Sequence, residues 1–332
     1  MCMMFGKRYI GLFVLLFATC LFGQSLLPKL GEQRAGTSAM TFLKMGVGAR
    51  ATSMGGAFVA ISNDASSLYW NPAGLVQIKN NELIVSHNDW LLDVDSEYLG
   101  YVQQLTPSLA LGVFVGYLHL ADMPVTTEFH PYGNGDYFSY YDMMAGLSAS
   151  IRMTDRFSFG ITGKYVREQL DNIIMDGLLF DFGTYYWTGY KTLRLAASMR
   201  NFGHELRPKG TYQRRETVGY SDASYEAFSP PTIFTMGAAM DVFSHQAHTV
   251  TASFQMNHPM DDEESYLMGA EYIFLQKLML RSGYITNADD ITWTFGAGLQ
   301  FALFGKSMKM DYSYADYTYL SLTQQFTFGF EF

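Results

Sequence analysis

From residue 82 onward, apolar and polar positions alternate along the chain with a period of two. Close to the last residue, Phe326, Phe328, Phe330 and Phe332 alternate with polar residues and a glycine. Successive side chains of a β-strand point to opposite faces, so each such segment predicts a strand with one apolar and one polar face. The alternation predicts about fourteen strands, at residues 83–90, 96–105, 109–120, 139–152, 156–168, 174–187, 191–202, 230–242, 247–257, 265–275, 277–285, 290–302, 306–316 and 321–332.

The connections between these strands also carry information. Short turns follow the even-numbered strands, and longer connections follow the odd-numbered ones, notably at residues 121–138 and 203–229. Short periplasmic turns and longer external loops are typical of a transmembrane β-barrel with both termini in the periplasm. A soluble β-sandwich gives no reason for loop length to alternate in this way.

Charged residues on the polar face support the same choice. Lys164, Arg194 and Arg200 occupy that face of their predicted strands, where a sandwich core would have to bury them at high cost. In a barrel lumen they are either wet or in contact with a plug. Beyond residue 23, no run approaches the ~20 apolar residues that a spanning helix needs. The predicted fold is all-β: a transmembrane antiparallel barrel of about fourteen strands, with a small N-terminal hatch of short helices in or under the lumen.

Composition agrees with a barrel. Aromatic residues make up 16% of the chain and glycines number 31, which suits aromatic girdles and a crowded lumen wall. Girdle rings favour the headgroup region of a bilayer. The residues predicted to form girdles are Trp90, Trp187, Trp293, Tyr312, Tyr314, Tyr317 and Tyr319.

The first residues predict export. Lys7 and Arg8 precede an apolar stretch at residues 9–22, which ends at Gly23; a secretory signal peptide has this organisation. A membrane anchor would need a longer apolar stretch, and Thr19 disfavours lipoprotein processing at the next residue. The predicted domains are a signal peptide at 1–23, a hatch or plug segment at 24–81 and a transmembrane barrel at 82–332. The predicted location is the outer membrane of a Gram-negative type of cell.

The cysteines and the net charge exclude several functions. Cys2 and Cys20 both lie in the predicted signal peptide, so the mature chain would have no disulfide and no thiolate metal site. The formal charge of −9 disfavours a nucleic acid partner.

No arrangement of residues typical of an enzyme is present. The seven histidines form no HExxH pattern and no pair at metal-binding helical spacing. The nearest approach to a catalytic site is the loop between His119 and His130, which contains Asp122 and Glu128. We therefore expect a protein without catalytic activity, cofactor or metal.

The segment at residues 48–75 is rich in small residues. Met54, Gly55 and Gly56 predict a surface that can approach a curved wall closely. Asp64 or its neighbour can cap a short helix, and Asn71 before a proline ends it. A ligand-binding role for Arg50, Asp64 and Asn71 is the alternative to a structural plug. The predicted hatch motif comprises Arg50, Met54, Gly55, Gly56, Asp64, Asn71, Pro72 and Gly74.

These motifs resemble those of the PorV/PorQ family of outer-membrane proteins, which is itself similar to the FadL fatty-acid channels. The resemblance lies in Gly48-Ala49-Arg50-Ala51, Met54-Gly55-Gly56-Ala57, Asn63-Asp64, Asn71-Pro72-Ala73-Gly74-Leu75, Gly163-Lys164, Asp181-Phe182-Gly183 and Asn201-Phe202-Gly203. It implies a non-enzymatic barrel in type IX-like protein secretion or surface attachment, where PorV-like members receive exported proteins at a translocon. The alternative is a FadL-like channel for hydrophobic small molecules, with an apolar pocket built from Phe58, Leu68 and Tyr69.

Three further features bear on partners. A basic loop could bind lipopolysaccharide phosphates or an acidic segment of a partner; its cations are Arg207, Lys209, Arg214 and Arg215. The acidic run at residues 261–264 predicts a solvated surface, with a divalent cation as the alternative. Phe332, the last aromatic of the closing strand, resembles the signal read by the barrel-assembly machinery. Expected partners are outer-membrane lipid and lipopolysaccharide, that machinery, and a secretion translocon with its exported proteins.

Overall fold

The computed structural model describes residues 36–215, 220–286, 291–303, 305–317 and 321–332. The predicted signal peptide at 1–23, with both cysteines, lies outside the described residues. The start of the predicted hatch segment, residues 24–35, lies outside them as well. Among the described residues, no helix is both long enough and apolar enough to cross a bilayer.

Fourteen strands form a closed antiparallel barrel, which confirms the predicted fold class. All predicted strands are present, with ends that agree within about three residues. The barrel strands are β1 (Glu82–Asp89), β2 (Asp95–Thr106), β3 (Leu109–His119), β6 (Tyr140–Arg152), β7 (Phe157–Leu170), β8 (Ile173–Trp187), β9 (Arg194–Gly203), β12 (Ile233–His245), β13 (His248–Pro259), β14 (Ser265–Phe274), β15 (Leu278–Thr286), β16 (Ile291–Leu303), β17 (Lys306–Tyr317) and β18 (Ser321–Glu331). Short hairpins outside the barrel are β4 (Met123–Pro124) with β5 (Tyr137–Phe138), and β10 (Thr211–Arg215) with β11 (Tyr220–Ser224).

The barrel closes where the first strand meets the last. Strand β1 pairs with β18 along its whole length, from Glu82 opposite Glu331 to Asp89 opposite Gln324. Each strand is therefore hydrogen-bonded on both sides, and the sheet has no free edge. Apolar side chains such as Phe328 and Leu99 are exposed on the outer face, as a lipid-facing surface requires.

The two ends of the barrel differ in their connections. One end has tight turns, such as those at residues 107–108 and 246–247. The other end has the two longest connections, at residues 120–139 and 204–232, which carry the two small hairpins. At that same end, residues 171–172 form a turn as tight as those opposite. The predicted contrast in loop length is therefore due to the two long connections alone. The end of the barrel that carries these two connections is called the external end below.

Residues 36–81 lie inside the barrel and are called the hatch below. They form two short α-helices and two 3-10 helices, namely α1 (Ala49–Thr52), α2 (Ser67–Trp70), and the 3-10 helices Thr41–Lys44 and Pro72–Gln77. Helix α1 contacts β16, β17 and β18, while the 3-10 helix Pro72–Gln77 contacts β6, β7 and β8 on the opposite wall. The hatch therefore spans the lumen from one side to the other.

The hydrophobic core of the protein lies between the hatch and the wall. Phe58 and Leu68 of the hatch are fully buried and belong to one cluster with the inward-facing residues Val102, Phe114 and Leu179. Burying an aliphatic or aromatic side chain of this size contributes roughly 1.5–3 kcal/mol. A segment too short to bury a core of its own thus gains one from the barrel.

Three of the predicted girdle residues face the lumen instead of the lipid. The Nε1 of Trp187 donates a hydrogen bond to the Oε1 of Gln77 in the hatch at 3.3 Å. Trp90 packs edge-on against Tyr317, with ring centroids 5.4 Å apart, and both rings line a cavity within the lumen. The prediction for these three was wrong because composition gives an aromatic excess but not the face on which each ring lies. Trp293 does lie on the outer face, 48% exposed.

Candidate functional site

Arg50 joins the hatch to the wall of the barrel. It lies in α1, and its Nε and Nη2 donate to the two carboxylate oxygens of Glu271 in β14, both at 2.9 Å. Its Nη1 donates to the Oδ2 of Asp64 at 2.8 Å and to the Oδ1 of Asn63 at 2.7 Å. The two-pronged contact with Glu271 has the geometry of the strongest arginine–carboxylate pairs.

The ion pairs continue along the wall. Glu271 also accepts from the Nε of Arg281 at 2.8 Å, and the Nη1 of Arg281 donates to Asp311 at 2.6 Å. Charges thus alternate from the hatch across β14, β15 and β17. Sequence reasoning did not single out Glu271, Arg281 or Asp311. Their only signal was a charged residue at an inward position of an alternating strand.

Asp64 has two roles in the hatch. Its Oδ1 accepts from the backbone N–H and the hydroxyl of Ser66, which stabilises the start of α2. Burial alone would raise the pKa of Asp64, but the positive charge of Arg50 and the bonds from Ser66 outweigh it and hold that pKa below its ordinary value. For Arg50, burial acts to lower the pKa, and Glu271 and Asp64 raise it well above its ordinary value. Both residues are therefore charged in the docked hatch.

Asn71 and Pro72 mark the end of α2. Asn71 is fully buried in an extended conformation, and its Oδ1 accepts from the backbone N–H of Ala73. Its Nδ2 donates to the backbone oxygens of Val59 in the hatch and Thr184 in β8, at 3.0 and 3.2 Å. The side chain thereby uses both its donor and acceptor groups on protein.

Polar side chains of the wall satisfy the backbone of the hatch. The Oε1 of Gln255 accepts from the N–H groups of Phe58 and Val59 at 3.0 and 2.9 Å. The hydroxyl of Ser253 donates to the oxygen of Ala57 at 2.7 Å. The hatch has little regular secondary structure, and its buried backbone groups need such partners.

Glycines allow the two backbones to meet. In the hatch, Gly55 and Gly56 have φ values of 66° and 76°, which few other residues adopt. In the wall, a Cβ at Gly283 would overlap the backbone of Met54 and Gly55, and a Cβ at Gly160 would overlap the backbone of Pro72 and Ala73. Close approach therefore depends on small residues on both sides of the contact.

The remaining residues of the predicted hatch motif lie within the hatch. Met54 is fully buried, and a Cβ at Gly74 would lie 2.5 Å from the carbonyl oxygen of Ser62. Arg50, Asp64 and Asn71, for which ligand binding was the alternative, all have protein partners, as described above. Their observed contacts hold the hatch together and attach it to the wall.

Three of the motifs that carried the family resemblance meet inside the barrel. The Nζ of Lys164 donates to the Oδ2 of Asp181 at 2.8 Å and to the Oδ1 of Asn201 at 2.5 Å. The backbone N–H of Asn201 donates to the other oxygen of Asp181 at 2.6 Å. Asn201 has a left-handed φ of 60°. This buried cluster connects β7, β8 and β9.

Two cavities lie at opposite ends of the hatch. One, of about 450 Å³, opens at the external end and is lined by Trp70, Arg200, Leu267 and Ile285 among others. The second, of about 710 Å³, lies at the end with the tight turns and is lined by Gln77, among others. The predicted apolar pocket of Phe58, Leu68 and Tyr69 is not a cavity, because these side chains are buried in the hydrophobic core.

The long external connection contains the four basic residues singled out from the sequence. Arg207, Lys209 and Arg214 are exposed, and the Nζ of Lys209 lies 2.5 Å from Asp176 at the start of β8. The backbone of Arg215 ends strand β10. Buried Leu206, whose backbone pairs with that of Phe228, anchors the connection to the barrel.

The acidic run at residues 261–264 is not uniformly solvated. Asp261 is buried and pairs with Lys44 of the hatch at 2.6 Å, while Asp262 is exposed. The prediction of a solvated surface is therefore wrong for Asp261, because its carboxylate is buried in an ion pair with a lysine of the hatch. His119 and His130 do not share a site: the first lies 3.3 Å from Glu97, and the second contacts Thr127.

Phe332 lies on the outer face next to the seam that closes the barrel. Its backbone N–H donates to the oxygen of Asn81 at 3.0 Å, and its ring stacks on that of Tyr101 at 6.1 Å. The Nζ of Lys306 lies 4.8 Å from the ring centroid, within the range of a cation–π contact.

Three solved structures similar to this one are described as channels or transporters of small aromatic molecules. The CymD monoaromatic hydrocarbon channel aligns over 86% of this chain and 98% of its own, with 15% identity and a TM-score of 0.60. The toluene transporter TodX of P. putida aligns over 86% and 99%, with 13% identity and a TM-score of 0.57. The toluene transporter TbuX of Ralstonia pickettii aligns over 86% and 98%, with 14% identity and a TM-score of 0.54. At these identities the likeness establishes a shared barrel fold alone.

The sequence provides a more direct assignment. No curated protein matches the chain. The family described as "Type IX secretion system protein PorV", however, matches residues 29–260. This region covers most of the hatch and the barrel as far as the end of β13, and it includes every motif on which the family resemblance rested. The chain therefore belongs to the PorV family of outer-membrane β-barrel proteins.

Proposed function

We propose that this protein is a non-enzymatic outer-membrane barrel that takes part in type IX protein secretion or in the surface attachment of secreted proteins. Membership of the PorV family supports the pathway. The observation that carries the proposal is the attachment of the hatch to opposite walls through buried ion pairs and backbone contacts. A hatch attached to opposite walls across the lumen favours a role in which partners bind the barrel from outside.

The external end offers the surface for such partners. Its two long connections project from the barrel, and Arg207, Lys209 and Arg214 expose positive charge on an otherwise acidic protein. These cations suit an acidic segment of an exported protein, a translocon subunit, or the phosphates of lipopolysaccharide. Export of the chain by the predicted signal peptide at 1–23 belongs to the same proposal.

A FadL-like channel for hydrophobic small molecules is the second candidate. It is favoured by the cavity of about 450 Å³ beside the hatch, which is within the size range of small-molecule sites. Passage beyond this cavity would require the hatch to leave the wall, breaking the pair between Arg50 and Glu271. The channel hypothesis therefore predicts that the hatch moves away from the wall. The secretion hypothesis predicts that the hatch stays attached to it.

The two candidates can be separated by locking the hatch. A disulfide between cysteines introduced at Ser53 and Thr294, whose backbone oxygen and hydroxyl lie 3.0 Å apart, would tie the hatch to β16. We expect capture of secretion components, measured by crosslinking and mass spectrometry in native membranes, to be unchanged by the lock. The single cysteine variants are the matched controls. Absence of crosslinked secretion components even without the lock, together with a hydrophobic molecule extracted from the purified barrel, would favour the channel. Loss of capture on locking would contradict the view that the hatch stays in place during secretion.

The assembly role of Phe332 stays a prediction. Deletion of Phe332 should lower the amount of assembled barrel, scored by its faster migration on a gel before heating. Phe328→Leu keeps an apolar side chain on the lipid face and should assemble normally. Equal assembly of the deletion variant and the wild type would remove the claim.

A further inference from the structure

Arg200 is a buried cation at the contact between the barrel and the hatch. It lies in β9 and is only 6% exposed. Its guanidinium carbon lies 4.7 Å from the ring centroid of Tyr69 and 5.1 Å from that of Trp70. The two rings are themselves fixed, since the hydroxyl of Tyr69 donates to the oxygen of Leu43 and the Nε1 of Trp70 donates to the oxygen of Val47.

No carboxylate among the described residues pairs with Arg200, whose guanidinium contacts the two rings. Among the described residues, Arg200 forms no ion pair, and its Nη1 has no hydrogen-bond partner although it is buried. The nearby carboxylate of Asp181 is already bonded to Lys164 and to the backbone of Asn201. By contrast, Arg50 and Arg281, which hold the structure together, each form ion pairs with two carboxylates. A buried N–H group of a cation is costly when it has no acceptor, and the Nη1 of Arg200 is therefore a candidate for binding a ligand.

Arg200 also lines the cavity at the external end. The cavity wall combines apolar residues, such as Leu267 and Ile285, with polar ones, such as Asn257 and Gln325. Its volume of about 450 Å³ admits a narrow chain. Asp262 and Glu263 line the same cavity, so a ligand with several negative charges would be repelled.

We propose that Arg200 binds the single carboxylate at the tip of an elongated ligand that enters the cavity from the external end. A guanidinium matches a carboxylate in geometry, and a carboxylate would supply the acceptor that the Nη1 of Arg200 lacks. The carboxylate could belong to the end of a polypeptide chain or to a fatty acid. The inference does not depend on the proposed role in secretion, because it concerns the cavity and not the external connections.

The test compares acids with their neutral analogues on the purified full-length barrel in nanodiscs. The probes are N-acetyl-trileucine as free acid and as amide, and octanoate against octanol, with binding followed by calorimetry. We expect at least one free acid to bind about tenfold to a hundredfold more tightly than its neutral analogue, as for a charge-assisted hydrogen bond. Arg200→Gln should remove this preference, and Arg156→Gln, at an exposed turn of the opposite end, should retain it.

The outcomes decide the proposal and identify the ligand. A preference for the peptide acid alone indicates a chain terminus, and a preference for octanoate alone indicates a fatty acid. Equal binding of acid and neutral forms to the wild type, or an acid preference that survives in Arg200→Gln, would overturn the assignment. If Arg200→Gln fails to assemble, Arg200→Lys keeps the charge without the fork of donors, and its weaker preference for the acid provides the same test.

Discussion

At the interface between the hatch and the wall, Glu271 and Arg281 are almost wholly enclosed and Arg50 is mostly buried, and each contacts an opposite charge. In the external connection at residues 204–232, Arg207 and Lys209 are exposed to solvent. Removing one partner of a buried pair leaves an uncompensated charge, whereas an exposed charge is hydrated whether or not it is paired. The same residue types therefore fix the hatch in one region and remain accessible to a partner in the other.

The comparison predicts its largest effect at Arg50. Arg50→Gln would leave the carboxylates of Asp64 and Glu271 without the cation that joins them, although Arg281 would still contact Glu271. Breaking a buried pair of this kind costs about 3–5 kcal/mol. We expect a lower denaturant midpoint for the hatch, measured as protease cleavage between residues 36 and 81 in the assembled barrel.

Arg207→Gln is the control for this substitution. It removes the same charge from the external connection, where the side chain is exposed, so the midpoint should stay within error of the wild type. Equal midpoints for Arg50→Gln and the wild type would contradict the view that the ion pairs hold the hatch.

The second prediction concerns the backbone contact and uses two glycines of one strand. Gly160 faces the hatch, and a Cβ there would overlap the backbone of Pro72 and Ala73. Gly163 faces outward, and a Cβ there would meet only the ring of Phe180, at 3.7 Å. Gly160→Ala should destabilise the docked hatch by about 1–3 kcal/mol, as overpacking does.

Gly163→Ala is the matched control, because the same methyl group enters the same strand on its other face. It should leave the hatch as protected from protease as in the wild type. Similar loss of protection in both variants would indicate that the strand, and not its contact with the hatch, is the sensitive element.

The fold was predictable because it depends on a local pattern. Alternation fixes which side chains face the lumen, and it found every barrel strand. The contacts between the hatch and the wall were not predictable. They depend on which strands lie beside each hatch residue and on where along the barrel axis the hatch sits. Glu271 and Arg281 could be assigned to the lumen but not to Arg50. Asp261, within an acidic run, looked solvated until Lys44 of the hatch was placed beside it. Trp187 shows the same limit, since a tryptophan near a strand end can face either way.

The third prediction is a dependence on pH. The pKa of Asp64 is lower in the docked hatch than its ordinary value of about 3.9. Its contribution to stability is therefore complete above that value and is lost as the pH falls below it toward the pKa of the docked form. Protease protection of the hatch should decline over this acid range. The hatch of Asp64→Asn should be less protected at neutral pH, and its protection should depend less on pH.

Asp155→Asn, at an exposed turn, should keep the wild-type profile. An Asp64→Asn profile parallel to that of the wild type would assign the acid sensitivity to other carboxylates.

The smallest effect on stability is expected at the external end. Lys209 contacts Asp176 at 2.5 Å, but its side chain is 63% exposed, and exposed pairs contribute about 0–1 kcal/mol. Lys209→Gln should therefore leave hatch protection unchanged.

If the external cations bind a partner, the double variant Arg207→Gln/Lys209→Gln should capture fewer secretion components by crosslinking. The difference in capture between the double variant and the wild type should shrink at high salt, because salt screens the wild-type interaction. A barrel destabilised by Lys209→Gln would show that the external connection supports the fold, and the contrast between the two regions would no longer hold. Unchanged capture by the double variant would leave the fold intact and remove these cations from the partner surface.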